Sequence, residues 1–146
     1  MKPCFLKLFT LLTILLFILC SCGTSTASGS IESSSAGAVV IKAGETSGSL
    51  YDLMVNLQDA GELEFSGSES DYGFFIESVN GEKAESSNNQ FWAVYTTLSE
   101  LDGVSYSSAD FGTYDYNGIT LFSASYGVSG LPAVKGELYA LVLESY

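Results

Sequence analysis

The chain has 146 residues, enough for one sizeable domain, with 5 basic and 17 acidic residues, no His and a formal net charge of −12. Beyond residue 21 the only bases are Lys42, Lys83 and Lys135 against all 17 acids, a net charge of −14. Such a surface repels phosphate backbones, so nucleic acid is excluded as a partner. The absence of His removes the commonest general base and the imidazole ligand of zinc and haem.

Met1 to Lys7 is a short basic start, and Leu8–Leu19 is an uncharged apolar run of 12 residues. A helix needs about 20 residues to cross a bilayer core, so this run suits a signal-peptide core instead. Leu19-Cys20-Ser21-Cys22-Gly23 resembles the lipobox of bacterial lipoproteins, which implies cleavage after residue 21 and lipidation at Cys22. A diacylglyceryl group carries two chains, enough for stable anchoring. Cys4 and Cys20 would leave with the signal. The exported domain is then expected to hold together by its hydrophobic core, without disulfides or thiolate chemistry.

Residues 22–37 are mostly Ser, Thr, Gly and Ala and read as a flexible tether, because they cannot bury enough apolar area to offset their ordering entropy. The domain is expected over 38–146. Ala38–Ile41 reads as its first strand. Leu50, Leu53, Met54 and Leu57 follow an i, i+3, i+4, i+7 pattern and predict a helix over about 50–60, with Ser47 or Ser49 at its start and Gly61 past its end.

After the helix the period drops to two. Strands are expected at Leu63–Phe65, Tyr72–Val79, Phe91–Thr97, Thr113–Tyr116, Ile119–Phe122 and Leu138–Glu144. Asn80-Gly81 and Asn117-Gly118 are favoured type I′ hairpin pairs. This order predicts a small α+β, β-grasp-like domain, one helix packed on a mostly antiparallel sheet.

Several segments resemble the C-terminal β-domain of the transcobalamin and intrinsic-factor proteins, and more closely the bacterial transcobalamin-like domain of uncharacterised function. They are the Ser49–Leu57 helix, Tyr72-Gly73-x-x-Ile76-x-x-Val79-Asn80-Gly81, the strand Phe91-Trp92-Ala93-Val94-Tyr95, and Tyr126-Gly127-Val128-x-x-Leu131-Pro132-x-x-Lys135-Gly136-Glu137-x-Tyr139. The resemblance implies a β-grasp-like sheet whose Phe91–Tyr95 strand covers one face of a corrinoid such as cobalamin through backbone and apolar contacts. No cofactor is required for folding in this reading. The large helical partner domain of the vitamin carriers has no counterpart in this sequence, so tight corrinoid binding is expected only where another protein supplies the second face.

Trp92 is either core or a flat apolar platform, with Asn80 and Gln90 as nearby polar handles; alternation places 92 with 94 and 91 with 93 and 95. The nine Tyr suit cross-strand pairing, or alternatively a protein- or glycan-contacting face. Glu62, Glu64, Glu69, Asp71 and Glu77 read as solvated acidic surface, with calcium binding as the alternative, although no EF-hand loop occurs. No nucleophile elbow or spaced carboxylate pair is present, so catalysis is not expected.

The expectation is therefore a non-catalytic lipoprotein module on the outer face of a bacterial membrane. Its ligand residues would be Asn80, Gln90, Phe91, Trp92, Ala93, Val94 and Tyr95. Its partners would be the membrane, through the lipid, and an uptake transporter or second binding subunit. The competing expectations are a structural or protein- or glycan-interaction module without a small ligand, and a Ca²⁺-stabilised domain.

Overall fold

A computed structural model describes residues 28–146. The expected signal segment, Cys22 and the first part of the expected tether lie outside these residues. Among the described residues no helix is long and apolar enough to cross a membrane.

The described chain is an α+β domain, as the periodicity predicts. Its elements are β1 (Gly29–Ser35), β2 (Ala38–Ala43), α1 (Leu50–Asp59), β3 (Phe65–Ser70), β4 (Gly73–Val79) and β5 (Glu82–Lys83). A 3₁₀ turn at Ser86–Asn88 follows, then β6 (Gln90–Thr96), β7 (Glu100–Leu101), β8 (Val104–Ser105), β9 (Ser107–Tyr116), β10 (Ile119–Ala124) and β11 (Leu138–Ser145). The main sheet has the order β1-β2-β11-β6-β10-β9, with β3-β4-β5 and β7-β8 as smaller sheets. Every ladder among these strands is antiparallel.

The helix forms where its apolar spacing puts it. Leu50, Leu53, Met54 and Leu57 are its buried face. Ser49 is the N-cap: its Oγ accepts from the Asp52 N–H at 3.2 Å, and the Asp52 carboxylate accepts from the Ser49 N–H at 2.8 Å, a reciprocal capping box. The next two N–H groups, of Leu50 and Tyr51, donate to the carbonyls of Leu131 (2.7 Å) and Val128 (3.0 Å). At the other end the N–H groups of Gly61 and Glu62 donate to Gln58 and Leu57, a Schellman closure that Gly61 allows with φ +75°. Hydrogen bonds to the Ser49 backbone and hydroxyl, in that order, hold the Asp52 carboxyl below its ordinary value of 3.8.

Tyr139 locks the loop that receives the helix start. Its hydroxyl is buried, donates to the Pro132 carbonyl at 2.7 Å and accepts from the Val134 N–H at 2.9 Å. The Tyr126–Tyr139 motif therefore seats the helix N-terminus on the sheet, with Val128 and Leu131 in the core.

Two apolar clusters lie on opposite faces of the main sheet. Val39, Ile41, Trp92, Tyr139 and Leu141 face α1, while Val40, Tyr95, Leu121, Leu138 and Ala140 form the second cluster. β11 contributes to both, as a central strand must.

Several features differ from or add to the expectations, among them that β9 begins at Ser107 instead of Thr113. Part of the expected tether is structure: Gly29–Ser35 pairs with β2 as the edge strand β1. Its Ser-rich side chains need little core, because the backbone ladder supplies the bonds and covers the otherwise open edge of β2. The short strand expected at Leu63–Phe65 instead begins at Phe65 and runs through polar residues to Ser70, held by its ladder to β4. The stretch after Thr96 contains the β7-β8 hairpin, turned by Asp102 (φ +51°) and Gly103 (φ +79°). The expected Asn80-Gly81 and Asn117-Gly118 turns are present, all four residues at positive φ.

Replacing the cap by Ser49→Ala is expected to cost about 1 kcal/mol in urea unfolding at pH 7. Because the Asp52 pKa is lowered on folding, the capping contribution is present above its ordinary value and is lost as pH falls through the folded one. The difference between wild type and variant should accordingly shrink in acid.

Candidate functional site

The expected ligand strand is β6, and the structure distributes its residues over three environments. Trp92 is core: it is 7% exposed, opposite Leu143 on β11, in the cluster beneath α1. Val94 packs half-buried against the same cluster. The platform reading of Trp92 thus loses its exposed ring face, because the helix and β3-β4 side of the sheet covers it. Trp92 Nε1 is buried without a hydrogen-bond partner, alone among the side-chain polar atoms of the described residues. An unpaired buried donor costs stability, so packing rather than polarity selects this ring.

On the other face Tyr95 is 3% exposed and Ala93 is half-buried in the second cluster. The Tyr95 hydroxyl donates to Glu144 Oε1 at 2.6 Å, and its ring lies 6.1 Å from that of Tyr114. Burial, then the hydrogen bond and charge of Glu144, push the Tyr95 hydroxyl up to about 12. Phe91 is half-buried, its ring 5.9 Å from that of Tyr146.

The two expected polar handles are not brought together. Asn80 is a stitching residue: Oδ1 accepts from the Glu64 N–H at 3.0 Å and Nδ2 donates to Ser34 Oγ at 3.1 Å. Its side chain joins the β4-β5 turn to the approach of β3 and to β1. Gln90 Oε1 accepts from the Glu85 N–H at 3.1 Å and holds the 3₁₀ turn. Asn80 lines a hollow of about 460 Å³ with Gln58, Gly61, Glu62, Leu63 and Glu64, whereas Gln90 lines a different groove.

What β6 does offer is an edge. β11 pairs with it along its whole length, from Gln90 to Thr96. β10 reaches it only at Tyr95 and Thr96, so Gln90 to Val94 have no ladder partner on that side. Unpaired strand edges present alternating N–H donors and carbonyl acceptors.

A groove of about 310 Å³ opens at the start of this edge, lined by Phe75 and Glu77 of β4, Lys83 and Ala84, Ser86, and Gln90. β4 is open too. β5 pairs with its Ser78 and Val79, the Glu77 carbonyl accepts from the Ala84 N–H at 2.8 Å, and the Phe74 N–H donates to Ser129 Oγ at 2.9 Å, which leaves only the stretch between Phe74 and Glu77 without a partner on that side. Phe75 is 55% exposed at the groove wall. Phe75, Glu77 and Lys83 were not distinguishable in the sequence as groove residues, since alternation alone does not say which face of β4 is covered.

The acidic residues weighed for calcium are dispersed. Glu62 and Glu64 line the larger hollow, Glu77 lines the β4-β6 groove, and Glu69 sits opposite Phe74 in the β3 ladder. Among the described residues no group of three or more acidic or cysteine side chains is placed to hold a metal ion.

Trp92 is the only tryptophan, so its environment is directly readable. Its emission is expected to be blue-shifted and resistant to acrylamide quenching in the native state. Trp92→Ala should cost about 3–5 kcal/mol, whereas Trp92→Phe, which also removes the unpaired N–H, should cost less.

Tyr139 is also pushed up to about 12, chiefly by burial and further by Glu137, against the Val134 N–H, which lowers it. A raised folded pKa means the unfolded state ionises first. The contribution of Tyr95 and Tyr139 is therefore complete below pH 10 and lost as pH rises toward about 12. Tyrosinate absorbance should follow alkaline unfolding over that window.

No protein-family model matches this chain, and no curated protein is similar enough to stand as a relative.

Proposed function

We propose that this protein is a non-catalytic binding module, exported and held on the outer face of a bacterial membrane by a lipid on Cys22, that captures a corrinoid at the free edge of β6. The observation that carries the reading is the early departure of β10, which leaves Gln90 to Val94 without a β10 partner beside the β4-β6 groove, the Gln90 N–H alone being given to the Glu85 carbonyl at 3.1 Å. A corrin ring is ringed by amide side chains, and an open strand edge is a row of matching donors and acceptors. Phe75, 55% exposed, adds apolar contact area at the groove wall. The resemblance of the Phe91–Tyr95 strand to the ligand strand of the vitamin carriers supports the same ligand class.

The arrangement revises how the strand would work. Trp92 shapes it from beneath and Tyr95 braces it through Glu144, while backbone and groove residues make the contacts. The edge engages only one side of a flat ligand, so a second binding subunit or an uptake transporter closes the other.

A second reading is favoured by one specific observation. Both β4 and β6 have unpaired stretches bordering the same groove, and an extended polypeptide segment that adds to either edge would satisfy them. That would make the domain a protein-interaction module.

Equilibrium dialysis of the full-length protein against micromolar cobalamin and cobinamide, read by visible absorbance, separates the two. Retention above a control protein is expected for the corrinoid reading, and Phe75→Ala should weaken it by about 1–2 kcal/mol without lowering the melting temperature. Failure to retain either corrinoid would remove that reading and leave the strand-addition one.

A further inference from the structure

β1 is built unlike the rest of the main sheet. Its sequence, Gly-Ser-Ile-Glu-Ser-Ser-Ser, has the composition of a linker, and Ile31 is its only side chain packed on the core. Beneath it, Val39, Val40 and Ile41 of β2 are each at most 1% exposed and are held from the other side by five ladder positions on β11.

Besides its ladder to β2, β1 is fastened by polar contacts at three points. Asn56 Nδ2 donates to Ser28 Oγ at 3.0 Å, just before the strand, and Asn80 Nδ2 donates to Ser34 Oγ near its end. The third comes from the opposite edge of the sheet. The ladder slips between Ile31 and Ser33, so Glu32 is an extra residue with no partner in β2. Its carbonyl accepts from the Tyr116 hydroxyl at 3.2 Å. Tyr116 ends β9, the other edge strand. The sheet is thus curled until its two edges touch over the second apolar cluster, against which the Tyr116 ring packs.

We propose that β1 is a releasable strand, with Tyr116 as the clasp that bridges the two sheet edges to hold it down. Release sacrifices the packing of one partly buried apolar side chain, Ile31, and a set of hydrogen bonds that water can replace, while both apolar clusters otherwise persist. It converts a seven-residue strand into linker and adds at most about 25 Å of reach. That gain in reach bears on function through the anchored reading above; the release itself does not depend on it.

Hydrogen exchange of the full-length protein, followed by mass spectrometry, tests this directly. Amides of Gly29–Ser35 that pair with β2 should exchange faster than those of α1 and β11, with a rate that low urea barely changes. Tyr116→Phe keeps the ring and deletes the hydroxyl. It should accelerate exchange in β1 by roughly two- to tenfold, the effect of one hydrogen bond, and leave α1 and β11 unchanged. Ser34→Ala, which removes the acceptor for Asn80, should act in the same direction. The proposal is overturned if β1 exchanges only with the whole domain, or if Tyr116→Phe leaves β1 unchanged or speeds β1 and β11 equally.

Discussion

The structure depends on β11 being sandwiched between β2 and β6 while carrying apolar side chains on both faces. Tyr139 and Leu141 point to the helix layer, and Leu138 and Ala140 to the second cluster. With β2 and β11 nearly a hundred residues apart, the sheet assembles only after a large loop closes, and such non-local pairing slows folding. Everything peripheral is positioned by that strand. Tyr139 holds the loop that caps α1, Glu144 holds Tyr95, and Tyr146 lies against Phe91.

Much of the fold was legible because local chemistry and global packing agree. Leu50, Leu53, Met54 and Leu57 share a helical face, Ser49 and Asp52 form a reciprocal cap, and two Asn-Gly pairs make their hairpins. β1 was not legible, since side-chain composition carries no information about a strand held by its backbone. The Asp102-Gly103 turn uses the same chemistry as the Asn-Gly pairs but joins strands of two residues each, too short for any periodicity to emerge.

The candidate site was legible only as a strand. Alternation correctly groups Trp92 with Val94 and Phe91 with Ala93 and Tyr95, yet it says nothing about which group meets solvent. In a strand with apolar clusters on both sides the question has no exposed answer. The feature the strand does leave unladdered is its edge, because β10 ends its pairing at Tyr95 and β10 itself ends at Ala124. Such a departure is a property of the assembled sheet and leaves no local mark.

The ladder registers also give the domain a direction. Gly29, where the described strands begin, pairs with Ala43 beside Glu137, whereas Gln90 pairs with Ser145. These levels lie about eight residues apart along β11, roughly 26 Å at strand spacing. The point where the chain enters the sheet and the groove beside Gln90 therefore occupy opposite poles. A support attached through the N-terminal segment would leave the groove at the distal tip, sterically open to large encounter partners approaching from the far side.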